Sequence, residues 1–235
     1  MPERRLHVVL IAWRRPRYTA RTCRAWLEQN AGLPAWLWYA QDGDGDPATA
    51  RAAEEHRFRP LVRLPEQLGI ARTHEAAVAA LAEQGRPDDL VLLLENDWEA
   101  ARPLPMRAVQ RIFSWGQVGW AWLHGPYKGR DRRWPHTGDN FGQPPEVRGH
   151  VAWRFAWAEG EPVLVGRAWW GHPPTVARLG LLKRILEAGE PGQDKAPAYF
   201  REASYATRLQ TVWLLEPCFW HIGERSYKAI GGKRC

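Results

Sequence analysis

The sequence predicts a single α/β domain, a mostly parallel sheet flanked by helices, with a tryptophan-rich, embellished second half. Three observations predict it. Strand-length apolar runs alternate with stretches of helical composition through the first hundred residues, the pattern of a parallel sheet covered on both faces. Two of those runs end in acidic residues, Asp42 and the Glu95-Asn96-Asp97 cluster. Later the texture changes, and eight of the fifteen tryptophans crowd into residues 115–170 among Gly, Pro and basic side chains.

Residues 6–13 form a continuous apolar run with β-branched members, a buried strand that Arg14-Arg15-Pro16 breaks. Residues 19–29 read as a helix, with Thr19 at its cap and Thr22, Cys23, Trp26 and Leu27 on one face. A second strand, residues 35–40, runs into the turn-forming string from Gln41 through Asp42 and Gly43 to Pro47. Residues 48–57 are helical in composition and residues 58–64 offer a third strand. Gly69-Ile70-Ala71-Arg72-Thr73 leads into an alanine-rich helix over residues 74–84. Asp88-Asp89 then precedes the most hydrophobic strand, residues 90–94. In the second half, residues 117–123, 147–158 and 162–168 read as strands, residues 174–188 and 198–210 as helices, and residues 212–215 as a last short strand. No repeat or linker divides the chain, so residues 1–235 are expected to form one domain.

Hydrophobic residues make up 45% of the 235, enough for a sizeable core. The longest apolar runs, residues 8–13 and 90–94, fall far short of the roughly 20 residues a membrane span needs. Met1-Pro2-Glu3-Arg4-Arg5 lacks the apolar stretch of a secretory signal, so a cytoplasmic protein with no membrane span is expected. Cys23, Cys218 and Cys235 are too few and too scattered for a zinc pattern or a disulfide framework. The net charge of +7 is unevenly placed: residues 1–100 hold 13 Lys/Arg against 15 Asp/Glu, and residues 101–235 hold 20 against 11. Such an excess points to an anionic partner met by the second half, or else to a general solubility bias.

Glu95 and Asp97 stand two positions apart just past a buried strand. Like charges in one site repel unless a cation lies between them. A hard divalent ion, Mg²⁺ or Mn²⁺, supplies it, since such ions take one or two carboxylates plus substrate phosphates. Ligands of open α/β sheets bind outside the carboxyl ends of the strands, where Asp42 also falls. A solvated acidic loop is the plain alternative.

In this order the pieces resemble the GT-A glycosyltransferases, whose fold is Rossmann-like, particularly those of the family 2 type. Ile11-Ala12-Trp13-Arg14-Arg15-Pro16 is similar to the Arg/Pro turn after that family's first strand, which makes Arg15 a donor-binding residue. Asp42 stands where the family's Asp meets the nucleobase side of the donor. Gly69-Ile70-Ala71-Arg72-Thr73 resembles the Gly-x-x-Arg-x opening of the next helix, implying donor contacts for Gly69 and Arg72; for Arg72 an ion pair with a neighbouring acid is the alternative. Glu95-Asn96-Asp97 resembles a Glu-x-Asp variant of the Asp-x-Asp signature, which would place the metal on Glu95 and Asp97 and Asn96 beside the donor.

The resemblance continues in the second half. The stretch from Arg201 and Glu202 to Arg208-Leu209 is similar to the family's Glu-Asp-x-x-x-x-x-Arg-Leu pattern, with one acid where two are common. It implies Glu202 as catalytic base, with Asp194 as competitor. Phe219-Trp220-His221-Ile222-Gly223 is similar to the late His that completes the metal site. The family's chemistry implies an inverting hexosyl transfer from a nucleotide-sugar, usually a UDP-sugar. Residues 1–100 would bind the donor, and residues 101–235 would bind the acceptor and carry the base.

Lys128-Gly129-Arg130-Asp131-Arg132-Arg133-Trp134 is the densest basic stretch, with Trp120, Trp122 and Tyr127 nearby. Cations that track a phosphate backbone, interleaved with rings that stack on bases, mark a nucleic-acid groove. An enzyme acting on a base in duplex DNA must also extrude that base and hold it between side chains. The combination resembles phage-type enzymes that glycosylate hydroxymethylated DNA bases. Trp169 and Trp170 fall where the family places a loop bordering the acceptor. Aromatic rings stack equally well on sugars, so a bacterial glycan or lipid-linked sugar is the alternative acceptor. A non-catalytic nucleic-acid-binding protein would explain the charge and the tryptophans, but not two carboxylates at the end of the most apolar strand. A metal-dependent nuclease lacks support, because the first half holds no second acidic cluster with an adjacent Lys.

Overall fold

Six of the seven residues of strand β1 (Leu6–Ala12) are apolar and the seventh, His7, is partnered inside the protein, so the strand lies buried along its whole length. The computed structural model describes residues 4–43, 46–124, 127–128, 134–135, 153–166, 174–187 and 209–222. Helix α1 (Pro16–Gln29) begins three residues earlier than the Thr19 cap suggests. Proline's fixed φ suits the first helical position, and its missing N–H is one that would find no intrahelical partner. Thr19 therefore sits inside the helix, fully buried.

Strand β2 (Trp36–Gln41) follows, then helix α2 (Pro47–Glu54), whose cap residue Asp46 accepts from the backbone N–H groups of Ala48 and Thr49. Next come β3 (Arg59–Arg63), α3 (Ile70–Ala82), β4 (Leu90–Glu95), β5 (Trp98–Ala100) and α4 (Met106–Phe113). The second half adds β6 (Val118–Trp122), β7 (Tyr127–Lys128), β8 (Trp134–Pro135), β9 (Arg154–Ala158) and β10 (Glu161–Gly166). It ends with β11 (Thr175–Arg178), α5 (Leu179–Glu187), β12 (Gln210–Leu214) and β13 (Phe219–His221).

Nine strands join in the order β3-β2-β1-β4-β11-β6-β12-β10-β9. All run one way except β11 and β10, so the sheet is mostly parallel as expected. One apolar layer packs the sheet against α1, α2 and α4, through Trp26, Ala53, Val109 and Phe113. The other packs it against α3 and α5, through Val78, Leu81, Leu182 and Ile185. Among the described residues no helix is long and apolar enough to cross a membrane.

Residues 174–188 correct the sequence reading: they are not one helix. Thr175–Arg178 is an antiparallel strand between β4 and β6, and only then does α5 begin. The gap between two buried strands has to be filled by backbone donors and acceptors. Val176 and Ala177 enter opposite apolar layers, which suits the two-residue period of a strand.

The amino ends of the central strands carry a buried polar clasp. Trp38 Nε1 donates to His7 Nδ1 at 3.2 Å, so Nε2 holds the ring's proton and donates it to Asp89 Oδ2 at 3.3 Å. Asp89 also accepts from the backbone N–H groups of Arg5 (3.3 Å) and Arg86 (2.8 Å). Burial lowers the His7 pKa more than Asp89 raises it, and the ring stays neutral.

Candidate functional site

At the opposite edge, the carboxyl ends of β1, β2 and β4, the loops wall a cavity of about 320 Å³. Ile11 comes from the end of β1, Trp13 and Arg15 from the β1–α1 turn, Asp42 from the end of β2, and Glu95, Asn96 and Asp97 from the end of β4. Gln67, Gly69 and Ile70 close it from the start of α3. Six of the residues singled out by sequence, Arg15, Asp42, Gly69, Glu95, Asn96 and Asp97, thus meet in one place.

Asp42 fixes the far wall. Its carboxylate accepts from the backbone N–H groups of Leu68 (2.8 Å) and Gly69 (3.2 Å), while its own N–H donates to Ala12 O at 3.1 Å. Gly69 caps α3 with φ +87° and ψ 164°, a conformation open essentially to glycine alone.

Asn96 braces the acid loop. Its backbone N–H donates to Ile11 O (3.1 Å), and its amide donates to Trp13 O (3.3 Å) and Thr19 Oγ1 (3.1 Å). Its carbonyl accepts from Thr22 Oγ1 at 3.0 Å. Thr19 and Thr22, both buried within α1, therefore help hold the loop in place.

Asp97 is the centre of charge. Arg15 Nη1 donates to Oδ2 at 2.9 Å, and His221 Nε2 lies 3.4 Å from the same oxygen. Oδ1 is buried and, among the described residues, accepts no hydrogen bond. Arg15 is anchored at its backbone, where its N–H donates to Thr49 Oγ1 (3.1 Å) and that hydroxyl donates on to the α2 cap, Asp46 (2.6 Å). His221 arrives from the far end of the chain because β13 pairs with β5, setting His221 opposite Trp98, whose ring it meets edge-on at 4.9 Å.

The two acids divide the charge. Burial, helped by the neighbouring Asp97, pushes the Glu95 carboxyl up to about 8. Burial pushes Asp97 the same way, but the contacts of His221 and Arg15 prevail and hold it below its ordinary value. One neutral and one ionised carboxyl is the arrangement that repulsion favours.

Among the described residues no three His, Cys, Asp or Glu are grouped to hold a metal ion. Of the expected set, Asp97 and His221 come together, and Glu95 is not added to them as a third ligand. A divalent ion in a nucleotide site takes only one or two carboxylates and completes its shell with phosphates and water. Asp97, with Oδ1 unpartnered, and the adjacent His221 fit that smaller role.

A second cavity of about 190 Å³ adjoins the first and shares Asp42 and Gln67 with it. Arg14, Gly43, Asp46, Pro65 and Glu66 complete its wall. The left-handed backbone at Arg14 (φ +38°) parts the two consecutive arginines, one to each cavity. Arg72 belongs to neither. It lies on α3 with Nη1 donating to Glu75 Oε2 at 2.7 Å, the ion pair that was the alternative.

Of the expected acceptor residues, Lys128 and Trp134 are paired in register on the β7–β8 ladder. Arg130, Arg132, Arg133, Trp169 and Trp170, and the candidate bases Asp194 and Glu202, lie outside the described residues. Sequence reasoning missed Trp98 and His124, whose rings stack at 5.8 Å behind His221. It also missed Thr49, which ties Arg15 to α2. Asp46-Pro47, a cap residue followed by proline, was the available signal for that helix start.

Neither a protein-family model nor a curated protein matches the chain by sequence. Among solved structures the fold is similar to S. aureus TarS 1-349, at a TM-score of 0.61 and 15% identity over 96% of this chain and 63% of that one. It is equally similar to the same protein in complex with UDP, at 0.61 and 14% over 96% and 63%. A 4-diphosphocytidyl-2C-methyl-D-erythritol synthase follows at 0.53 and 14%, with 98% of each chain covered. The chain therefore spans 63% of the TarS 1-349 structures and 38% of a longer TarS structure that it also matches. The fold is of the GT-A, Rossmann-like kind, a mostly parallel sheet flanked by helices.

Proposed function

We propose that the protein is a glycosyltransferase that moves a sugar from a nucleotide-sugar donor, with UDP as the carrier, to a hydroxyl acceptor. The observation that carries this reading is the convergence of Arg15, Asp42, Gly69 and the acid loop on one cavity at the carboxyl ends of β1, β2 and β4. The UDP-bound neighbour supports a uridine nucleotide as the occupant. The whole chain acts as one domain, residues 1–100 binding the donor and residues 101–235 the acceptor.

In this reading the nucleobase lies toward Asp42 and the second cavity, and the diphosphate toward Arg15 and Asp97. Asp97 and His221 would hold Mn²⁺ or Mg²⁺, which when bound neutralises charge on the departing diphosphate. Asn96 keeps the acid loop at a fixed distance from the β1–α1 turn, so Arg15 and Asp97 face the same phosphates. Glu202, with Asp194 as the alternative, takes the proton of the acceptor hydroxyl as its oxygen attacks the anomeric carbon. The bond from that carbon to the diphosphate oxygen breaks on the opposite side, which inverts the centre.

The acceptor favoured by Lys128, Arg130, Arg132, Arg133 and Trp134, with Trp169 and Trp170, is a hydroxymethylated base in DNA. One observation favours a glycan instead. Phe155 and Trp157 stand 57% and 63% exposed on β9, rings 5.3 Å apart, open to a sugar face.

The test is release of nucleoside diphosphate from UDP-, GDP- and TDP-sugars, in Mn²⁺ or EDTA, with and without 5-hydroxymethylcytosine DNA. Release from a UDP-sugar that rises with the modified DNA is the expected result. Release without DNA stimulation moves the acceptor to a glycan. No release from any donor, beside salt-sensitive DNA binding, replaces the enzyme with a binding protein.

A further inference from the structure

Among the described residues, the contact between Arg15 and Asp97 differs from the two arginine–carboxylate pairs that close through a full fork. Arg21 grips Glu99 through two parallel bonds, Nε to Oε1 (3.2 Å) and Nη2 to Oε2 (2.8 Å). Arg102 grips Glu161 in the same way, at 2.8 and 2.6 Å. Arg15 gives Asp97 a single bond, and among the described residues its guanidinium makes no other. A guanidinium offers five donors in a fork shaped for carboxylate or phosphate, so most of its capacity is turned to the cavity it lines.

Asp97 is equally under-used. Among the described residues its Oδ1 is buried without a partner, while Oδ2 carries the whole contact with Arg15 and faces His221. A buried acceptor with free lone pairs beside an imidazole is half of a divalent-ion site. The other half is obstructed by charge. A guanidinium 2.9 Å from the liganding carboxylate neutralises it and repels any incoming cation.

We infer that Arg15 is an exchangeable counter-ion. It neutralises Asp97 until the diphosphate of a donor draws its fork away, and only then does Asp97 become a metal ligand. The inference rests on the reading of this cavity as a nucleotide-sugar site. The geometry suits such an exchange. The backbone of Arg15 is pinned by Thr49, so the side chain alone swings, and a phosphate offers the bidentate partner that Asp97 does not. Metal and nucleotide then bind with positive coupling, each strengthening the other by the same factor.

The experiment is a titration of Mn²⁺ followed by the electron paramagnetic resonance of the free ion, with and without UDP. It uses the wild-type protein, Arg15→Gln, Arg15→Lys and Asp97→Asn, each checked for folding by its circular dichroism melt. The wild type is expected to bind Mn²⁺ weakly alone and at least about 10-fold more tightly with UDP. Arg15→Gln is expected to bind Mn²⁺ alone about 10-fold more tightly than the wild type, with most of the coupling lost. Arg15→Lys keeps the charge and should stay weak without UDP; Asp97→Asn should bind little in either condition. Equal Mn²⁺ affinity of Arg15→Gln and wild type without UDP overturns the inference. So does wild-type binding that UDP leaves unchanged, or no Mn²⁺ binding by any variant. Calorimetric binding of UDP in EDTA separates these failures from that of the donor site, which is lost only if UDP itself does not bind.

Discussion

His221 is joined to Asp97 through the main chain as well as through its ring. Ile222 N–H donates to Asp97 O at 2.8 Å, and the imidazole Nε2 then falls 3.4 Å from Asp97 Oδ2. The ring is held by a two-strand ladder, and Trp98 closes over it. The position of His221 is therefore a property of the backbone, and side-chain changes in the pair should disturb chemistry more than folding.

Asp97→Asn keeps the shape of the side chain and removes its charge. UDP release should fall by roughly 10²–10³-fold, the usual cost of removing one group that stabilises transition-state charge. The melting temperature should stay within a few degrees of the wild type. A loss of activity smaller than about 10-fold would place Asp97 away from the departing diphosphate.

Asn96→Ala should act in the opposite sense. It strips a buried acceptor, Thr19 Oγ1, of its donor and releases Trp13 O. Urea unfolding should show a loss of about 1–3 kcal/mol, the cost of buried groups left without partners. An unchanged unfolding midpoint would show that the acid loop is held by its backbone contacts alone.

Gly69→Ala places a Cβ where nothing crowds it, yet at φ +87°. Strain of about 1–3 kcal/mol should appear in the melt, and the Asp42 clamp on Leu68 and Gly69 should loosen with it. Affinity for UDP, measured by calorimetry, should weaken as well. Strain without any effect on UDP would separate Asp42 from the nucleotide.

The clasp at the amino ends sets an acid limit. At pH 8 His7 is neutral in both folded and unfolded chains, so it contributes no pH dependence there. Its folded pKa lies below the ordinary 6.5, because burial opposes the charged ring. As pH falls through 6.5 the unfolded chain binds a proton that the folded chain refuses, and stability drops. Asp89 lies below its ordinary 3.8, since its hydrogen bonds outweigh burial, and its contribution is lost only at pH values lower still. Between pH 7.5 and 5.5 the melting temperature is therefore expected to fall. His7→Gln should flatten that slope; an unchanged slope would assign it to other histidines.

The first half of the fold was legible because its strands are buried on both faces and so read as unbroken apolar runs, with acids marking their carboxyl ends. Where the signal failed, tertiary contacts had replaced local pattern. Thr175–Arg178 is a strand because β4 and β6 leave a slot for it, and no property of those four residues alone excludes a helix. The three-residue strands β5 and β13 are too short for any period to show, yet they bring His221 to Asp97. At the site, residue types announced Asp42 and Asp97 correctly as neighbours of one cavity. The charge on Asp97 was foreseen as wanting a cation; that Arg15 supplies one could not be, since pairing across 82 positions depends on the turn at Arg14.

The ladder between β5 and β13 also orders events in time. β1 to β4 are complete in the first 95 residues, whereas the strand that carries His221 to the acid loop is made about 120 residues later, roughly 6–25 s at ordinary rates of synthesis. A nascent chain can thus assemble most walls of the cavity well before His221 reaches Asp97. On the proposed reading competence arrives last, and a chain broken off before β13 lacks the histidine that would complete its site.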